Sequence, residues 1–251
     1  MSVVNRRSFL GLGAAGAISL WRSPPTEGAQ PQTSTPTSSP DQDAIPYGQS
    51  RLGLSDDGRD GTLYVPKSYR HGAPAPLLVM LHGFGGWGDE MKSTFALAEE
   101  FGVILIAPES RDATWGRSAP GFDADVRYIG AAYRKVREMF DLDPDRVGLG
   151  GRSDGAGYAL SMGLAYGDIF NHLLIFAGGL MGPLRRQGKP KIFFGHGIND
   201  QQMPIEVTAR KFAASLKGDG YDVTLREHDG GHGTPPAVVR EAFEWLVGRW
   251  Q

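Results

Sequence analysis

The sequence predicts an α/β fold in which a mostly parallel, doubly wound sheet of about eight strands is flanked by helices. Short apolar stretches alternate along the chain with amphipathic stretches, which is the order expected of strands joined by crossover helices. Several apolar stretches run directly into glycine-rich turns, as strands do when a site lies at their carboxyl ends. With 251 residues, 40% of them hydrophobic and 22% charged, the chain has room for one large domain with a sizeable core.

The strands are predicted from short runs of apolar residues, taken in chain order. They fall at residues 51–55, 61–66, 76–82, 102–108, 146–152, 172–178, 191–196 and 222–228. Amphipathic stretches between the later strands predict the helices that cover both faces of the sheet. They fall at residues 88–101, 123–140, 154–167, 204–218 and 235–249.

The N-terminus is predicted to lie outside the folded domain. Arg6 and Arg7 precede an apolar run of 13 residues, Phe9–Trp21, and residues 1–29 as a whole resemble a twin-arginine export signal. A run of 13 residues is shorter than the roughly 18 expected of a membrane-spanning helix, so a permanent anchor is the less favoured interpretation. We therefore expect export by the twin-arginine machinery to the periplasm or the cell exterior, without stable membrane insertion after signal removal.

A linker is predicted between this signal and the folded domain. Residues 30–46 are rich in Pro, Ser, Thr and Gln and nearly free of aliphatic residues, so they cannot bury enough surface to fold. The α/β domain is therefore predicted over residues 47–251. Because the chain contains no cysteine, its stability after export depends on the core and not on disulfides.

Charge and motif content exclude several classes of function. The formal net charge is only -2 and no basic stripe is visible, which argues against a nucleic-acid partner. One cationic patch is interpreted as a solvated loop, with an acidic substrate or a lipid surface as the alternative: Arg185, Arg186, Lys189 and Lys191. The chain has no H-E-x-x-H motif and no cysteine, so neither a metal nor another cofactor is expected.

A candidate nucleophile stands where an apolar strand meets a helix. The strand that starts near Val147 runs into Gly151-Arg152-Ser153-Asp154-Gly155, the G-x-S-x-G pattern of a nucleophile elbow. Glycines two positions on either side of Ser153 give the room that a sharp strand-to-helix turn needs. The alternative is that Ser153 is an ordinary N-cap of the helix.

Two further residues supply what a serine nucleophile requires, a proton acceptor and a carboxylate that orients it. Asp200 follows the apolar strand Lys191–Gly195, and His232 lies in the glycine-flanked loop after Tyr221–His228. Both residues thus stand beyond the carboxyl ends of predicted strands, as Ser153 does.

Alternatives exist for both positions. Asp200 could instead cap the helix that follows it, and Asp222 or Asp229 could be the acid. Among the other histidines, His196 is the one expected near the site because it lies in the Asp200 loop.

Donors for an oxyanion are predicted in two backbone segments. The apolar strand Pro76–Leu81 leads into His82-Gly83-Phe84-Gly85-Gly86. The backbone N–H of Phe84 in this loop and that of Asp154, next to the serine, are the expected donors. His82 is expected to shape the loop and not to react.

These motifs resemble the α/β-hydrolase family. The chain is most similar to the small, cap-less carboxylesterases of the phospholipase/carboxylesterase and polyhydroxybutyrate-depolymerase-like groups, from about Leu63 to the C-terminus. The chain order Ser153, Asp200, His232 is that of the family, and the resemblance implies their roles as nucleophile, acid and general base. Two positions depart from the usual pattern: Met203 replaces a valine, and Asp154 places a carboxylate where many relatives carry an uncharged residue.

The resemblance implies an exported serine hydrolase that cleaves carboxylic esters through an acyl-enzyme and without a cofactor. Polyester or feruloyl-polysaccharide depolymerase, thioesterase and peptidase activities remain alternatives on the same fold, and a non-catalytic exported binding module is the alternative of a different class. About 14 residues separate Phe176 from Lys191, too few for a lid. Loops must therefore form the pocket, and Trp87 and Trp115 are candidate substrate-lining residues, although Trp87 could instead pack under the adjacent helix.

Overall fold

The central sheet places its strands in the order β1-β2-β4-β3-β5-β6-β7-β8. The computed structural model describes residues 45–56, 58–116 and 124–250, and within them the sheet has eight strands. Their bounds are β1 Gly48–Arg51, β2 Gly61–Val65, β3 Ala75–Leu81, β4 Ile104–Pro108, β5 Leu142–Arg152, β6 His172–Phe176, β7 Lys191–Gly197 and β8 Val223–His228. Strands β3 to β8 are parallel, whereas β2 runs antiparallel to both β1 and β4. The predicted mostly parallel sheet is confirmed.

Helices cover both faces of this sheet. In the described ranges the α-helices are α1 Phe95–Phe101, α2 Ala124–Met139, α3 Asp154–Ala165, α4 Ala209–Gly218 and α5 Pro236–Leu246, and a 3-10 helix, Gly88–Thr94, precedes α1. Side chains of β3 alternate between two cores: Leu77 and Val79 belong to one, Leu78 and Met80 to the other. Helices α2, α3 and α4 pack on the first core, and α1 and α5 on the second. This sheet with two helical layers is the doubly wound arrangement that the sequence predicts.

The strand register brings the carboxyl ends of five strands to one edge. Leu81 of β3 pairs with Gly151 of β5, and Gly197 of β7 pairs with His228 of β8. Between them, Phe176 of β6 pairs with both neighbouring strands. The loops after these strands therefore leave the sheet side by side, and they carry all the predicted catalytic residues.

Several predicted boundaries are wrong by three residues or more. The fifth strand begins at Leu142 and not at residue 146, since Ala75 of β3 already pairs with Leu142, and the last helix ends at Leu246 and not at residue 249. The first strand is Gly48–Arg51 and not 51–55, because the Asp60 carboxylate accepts the backbone N–H groups of Gly53 and Leu54 at 2.7 and 2.8 Å. Those groups therefore do not bond to a neighbouring strand. The fourth helix begins at Ala209 and not at residue 204, because residues 204–208 form turns in which backbone N–H groups bond to carbonyls three residues back.

The predicted export signal at 1–29 lies outside the described residues, as does most of the predicted linker at 30–46. Both stay predictions. Within 45–56, 58–116 and 124–250, no helix is long and apolar enough to cross a membrane.

The start of α3 packs tightly against the end of β3. A Cβ atom added at Gly155 would lie 2.3 Å from the carbonyl oxygen of His82 and 2.6 Å from that of Leu81. Both contacts are with backbone, so neither can be relieved by a side-chain rotation. At Gly218, the last residue of α4, an added Cβ would meet nothing within 4 Å.

We expect Gly155→Ala to lower the free energy of unfolding by about 1–3 kcal/mol or more, because the added methyl group forces helix and strand apart. Gly218→Ala is the matched control and should be neutral or slightly stabilising, by up to about 1 kcal/mol. Urea unfolding of both variants measures the two effects. Equal stability of the two variants would contradict the proposed close packing.

A buried histidine makes the fold sensitive to pH. His172 is 8% exposed, its Nδ1 lies 2.8 Å from Oδ1 of Asn171, and its ring packs edge-on against Trp245. Burial lowers the pKa of His172 from 6.5 to about 4, and the positive charges of Lys191 and Arg146 act in the same direction. The folded chain therefore keeps this ring neutral at pH values where the unfolded chain protonates it.

We expect His172 to reduce stability as the pH falls from 6.5 to about 4. In this window the unfolded state binds a proton that the folded state does not, at a cost of up to about 1.4 kcal/mol per pH unit. The stability of wild type relative to His172→Gln should thus fall by up to about 3 kcal/mol between pH 7 and pH 4. Denaturant unfolding at several pH values measures the difference, and a difference that does not change with pH would refute the effect.

Candidate active site

Ser153 occupies a strained turn between β5 and α3. Its backbone has φ 54° and ψ -115°, and among the described residues only Ala177 shares a positive φ without being glycine. A Cβ at Gly151 would lie 2.6 Å from the backbone carbon of Gly155, so the turn closes only with glycines on both sides. The Ser153 side chain makes no capping hydrogen bond to α3. The alternative of an ordinary N-cap is therefore wrong.

His232 connects Ser153 to Asp200. Its Nε2 lies 2.8 Å from Ser153 Oγ, and its Nδ1 lies 2.8 Å from Asp200 Oδ2. His232 belongs to the loop between β8 and α5, as the sequence predicts. The three side chains thus form one continuous hydrogen-bonded chain. In the sequence, His232 is 79 residues from Ser153 and 32 residues from Asp200.

The Asp200 carboxylate is buried and surrounded by donors. Its Oδ1 accepts the backbone N–H groups of Gln202 and Met203, both at 2.9 Å, which leaves Oδ2 for His232. Burial raises the pKa of Asp200, but the hydrogen bonds from Met203, His232 and Gln202 together outweigh it and hold the pKa below its usual range. The Asp200 carboxylate is thus ionised near neutral pH. Of the three candidate acids, Asp200, Asp222 and Asp229, it is Asp200 that contacts His232.

A second histidine contacts the same carboxylate. His196 lies in β7, is 1% exposed, and its Nε2 is 2.8 Å from the carbonyl oxygen of Met203 and 3.3 Å from Asp200 Oδ2. Both of these partners are acceptors, so Nε2 carries a proton and donates it. His196 therefore helps to hold the Asp200 loop, and it is His232 that faces Ser153.

The loop after β3 passes directly over the nucleophile. A Cβ at Gly83 would lie 3.8 Å from Ser153 Cβ, so the backbone of this loop is in contact range of the serine. His82 is buried, with Nδ1 2.7 Å from the carbonyl oxygen of Gly83 and Nε2 accepting the N–H of Ser110 at 3.1 Å. Burial lowers the pKa of His82, which keeps the ring neutral in this role.

The two predicted substrate-lining tryptophans have different environments. Trp87 is 51% exposed, and the Arg59 guanidinium lies over its ring, 4.9 Å from the ring centre. Trp115 is 1% exposed, and its Nε1 donates to the carbonyl oxygen of His82 at 2.8 Å. The prediction for Trp115 is wrong, because its indole fills the core beside the rings of His82 and Tyr158 and cannot reach a substrate.

Three exposed apolar side chains lie in loops that leave the sheet at the same edge as Ser153. Phe84 is 72% exposed, Leu180 is 50% exposed and Ile198 is 42% exposed, and they follow β3, β6 and β7. A Cβ at Gly157 would lie 2.9 Å from Leu180 Cβ, which places Leu180 against the first turn of α3. Leu180 and Ile198 could not be identified from the sequence, since nothing in a loop sequence indicates which apolar residues stay exposed.

In the part of the chain that the structure describes, no three His, Cys, Asp or Glu side chains lie close enough together to hold a metal ion. The prediction that no metal or cofactor is needed stays a prediction.

Comparisons with known proteins agree on the fold. No protein-family model matches the chain. Over 159 residues it is 27% identical to the "Probable feruloyl esterase C" of Aspergillus niger, a match that covers 60% of this chain and 58% of that protein. The chain thus spans less than two thirds of the length of this curated relative.

Solved structures of similar fold include several esterases. The acetyl xylan esterase from Aspergillus awamori is 15% identical, with a TM-score of 0.63 over 79% of this chain and 98% of its own. Esterase PE8 is 21% identical, with a TM-score of 0.61 over 75% of this chain and 97% of its own. The predicted α/β-hydrolase fold is confirmed, and residues 45–56, 58–116 and 124–250 contain no large cap domain.

Proposed function

We propose that this chain, which has the α/β-hydrolase fold, is a serine hydrolase that cleaves carboxylic esters. The observation that carries the proposal is the hydrogen-bonded chain Ser153, His232, Asp200, with both His232 nitrogens at 2.8 Å from their partners. A hydroxyl, a base within hydrogen-bond reach and an ionised carboxylate behind the base are what nucleophilic acyl transfer requires. The similarity to a feruloyl esterase and to two esterase structures supports the same reaction class.

The reaction proceeds in two halves. Ser153 Oγ attacks the ester carbonyl carbon while His232 Nε2 takes the hydroxyl proton, and Asp200 stabilises the resulting imidazolium. The tetrahedral intermediate then breaks its bond to the leaving oxygen, which takes the proton from His232 and departs as an alcohol. A water molecule attacks the acyl-enzyme in the same way, and the acid leaves as Ser153 is restored.

The backbone N–H groups of Phe84 and Asp154 are the proposed donors to the oxyanion of both intermediates. Asp154 is the first residue of α3, so its N–H lies at the positive end of the helix dipole. Like the other N–H groups of the first turn, it has no carbonyl partner within the helix. Phe84 follows Gly83, whose backbone lies against Ser153. Fixed donors aimed at developing charge are the largest single contribution in many acyl-transfer enzymes.

Hydroxycinnamoyl esters of a polysaccharide are a second candidate substrate class. The Aspergillus niger relative is named a probable feruloyl esterase, and an aromatic acyl group fits the exposed apolar side chains of Phe84, Leu180 and Ile198. Export through a twin-arginine signal at residues 1–29, followed by a linker to residue 46, belongs to the same proposal, since a polymeric substrate lies outside the cell.

Replacing Ser153 tests the function directly. We expect Ser153→Ala to lower kcat on p-nitrophenyl esters by on the order of 10⁶-fold, because the attacking oxygen is gone. Asp200→Asn should lower kcat by around 10⁴-fold, because it favours the wrong tautomer of His232. A fluorophosphonate probe should label the full-length wild type at Ser153, as mapped by mass spectrometry.

The matched control is Ser93→Ala, which removes an exposed hydroxyl from the 3-10 helix and should leave both readouts unchanged. A label on another residue, or a loss of kcat of less than about tenfold in Ser153→Ala, would contradict the assignment of Ser153 as the nucleophile. Folded wild type that neither hydrolyses esters nor takes the label would support the non-catalytic binding module instead.

The apolar surroundings of the site predict a preference for bulky acyl groups. We expect Phe84→Ser to lower kcat/KM about tenfold for octanoyl and hydroxycinnamoyl esters, because apolar contact area is lost, and less than about twofold for acetate esters. Met139→Ser is the control, since Met139 is 39% exposed but ends α2, just before β5 begins. If Phe84→Ser lowered kcat/KM equally for all esters, Phe84 would not select the acyl group.

A further inference from the structure

The carboxylate of Asp154 stands beside the nucleophile but is not presented to the substrate. Asp154 is 7% exposed. Its Oδ2 accepts hydrogen bonds from the Thr114 hydroxyl and, at 3.4 Å, from the backbone N–H of Trp115. Both donors belong to the segment Ser110–Trp115 after β4, which we call the bracing loop. The side chain of the residue after the nucleophile therefore joins α3 to a loop 40 residues away in sequence.

The bracing loop in turn is bonded to the backbone that carries Phe84. The indole Nε1 of Trp115 donates to the carbonyl oxygen of His82 at 2.8 Å, and the N–H of Gly85 donates to the carbonyl oxygen of Ala113 at 2.8 Å. The N–H of Ser110 donates to His82 Nε2 at 3.1 Å. These three hydrogen bonds flank Phe84 on both sides along the chain.

The two proposed oxyanion donors are thus connected through one loop. The N–H of Asp154 belongs to α3 and that of Phe84 to the loop after β3, and the bracing loop is bonded to both segments. Because donors stabilise an oxyanion only when they stay about 3 Å from its position, the relative placement of the two segments controls the reaction rate. A contact that fixes this placement acts on the transition state and not on substrate affinity.

We propose that the Asp154 side chain is a positioning residue that sets the oxyanion hole through Thr114 and Trp115. The inference rests on the proposed function and adds a role for a side chain that the triad does not use. The two donors to Oδ2, a hydroxyl and a backbone N–H, are uncharged groups, so the role that we propose requires a hydrogen-bond acceptor at this position. An asparagine can offer the same acceptor, whereas alanine cannot.

The variants Asp154→Ala, Asp154→Asn and Thr114→Val test this role in the full-length protein. Active sites are first counted with a fluorophosphonate, so that rates refer to folded, competent molecules. We expect Asp154→Ala to lower kcat on p-nitrophenyl acetate by about 10- to 100-fold, somewhat less than the loss of a whole oxyanion donor, with KM within about twofold of wild type. The affinity for a trifluoromethyl ketone, which forms an oxyanion on binding, should fall by a similar factor.

Two further measurements distinguish a positioning role of Asp154 from a general effect on stability: rescue by a conservative variant and coupling to Thr114. Asp154→Asn should recover kcat to within about fivefold of wild type, because it keeps an acceptor for Thr114 and Trp115. Asp154→Ala and Thr114→Val should be non-additive in kcat, since either change breaks the same contact. Thr94→Val is the control: it removes another buried threonine hydroxyl, which bonds to Met91 in the 3-10 helix, and should leave kcat unchanged.

The results distinguish the two proposals. If wild type hydrolyses esters but Asp154→Ala keeps kcat within about twofold, the positioning role is overturned and the ester hydrolase stands. A loss in Asp154→Asn as large as that in Asp154→Ala would also overturn it, because charge would then be the property that matters. Wild type without turnover or labelling overturns both proposals.

Discussion

The turn between β5 and α3 is the constraint on which the rest of the site depends. Ser153 keeps a positive φ only because the residues on either side of it are glycines. A Cβ at Gly151 would clash with the backbone of Gly155, and a Cβ at Gly155 would clash with the carbonyl oxygens of Leu81 and His82. Such strain costs on the order of 1–3 kcal/mol and persists only when the surroundings fix it. Here it is fixed by the parallel pairing of β3 with β5 and by the helix that starts immediately after the serine.

The groups proposed to react, and the loop beside them, are held in place by hydrogen bonds to surrounding residues. The Asp200 carboxylate is held by two backbone N–H groups and faces His196 as well as His232. The loop after β3 is held by the neutral ring of His82 and the indole of Trp115. Since none of these contacts requires the substrate, the arrangement is formed before binding, as electrostatic stabilisation of a transition state demands.

The sequence predicted the fold well because the fold depends on local patterns. Apolar runs that end in glycine-rich turns locate β3, β5, β7 and β8, and the turns after the last three carry Ser153, Asp200 and His232, which the structure brings together. What failed depends on contacts between distant segments. The Asp60 carboxylate ends β1 early by binding Gly53 and Leu54. No local pattern indicates that Trp115 is buried or that Thr114 bonds to Asp154, because each contact is fixed only when the sheet forms.

The groups proposed to react and the side chains proposed to select the acyl group differ in how they are held. The groups proposed to react are held by hydrogen bonds within the protein, so substitutions there change the rate for every ester. The exposed apolar side chains Phe84, Leu180 and Ile198 come instead from loops after three strands. The proposed hydrolase can therefore change the acyl group that it accepts through these residues while the backbone geometry behind the serine stays constant.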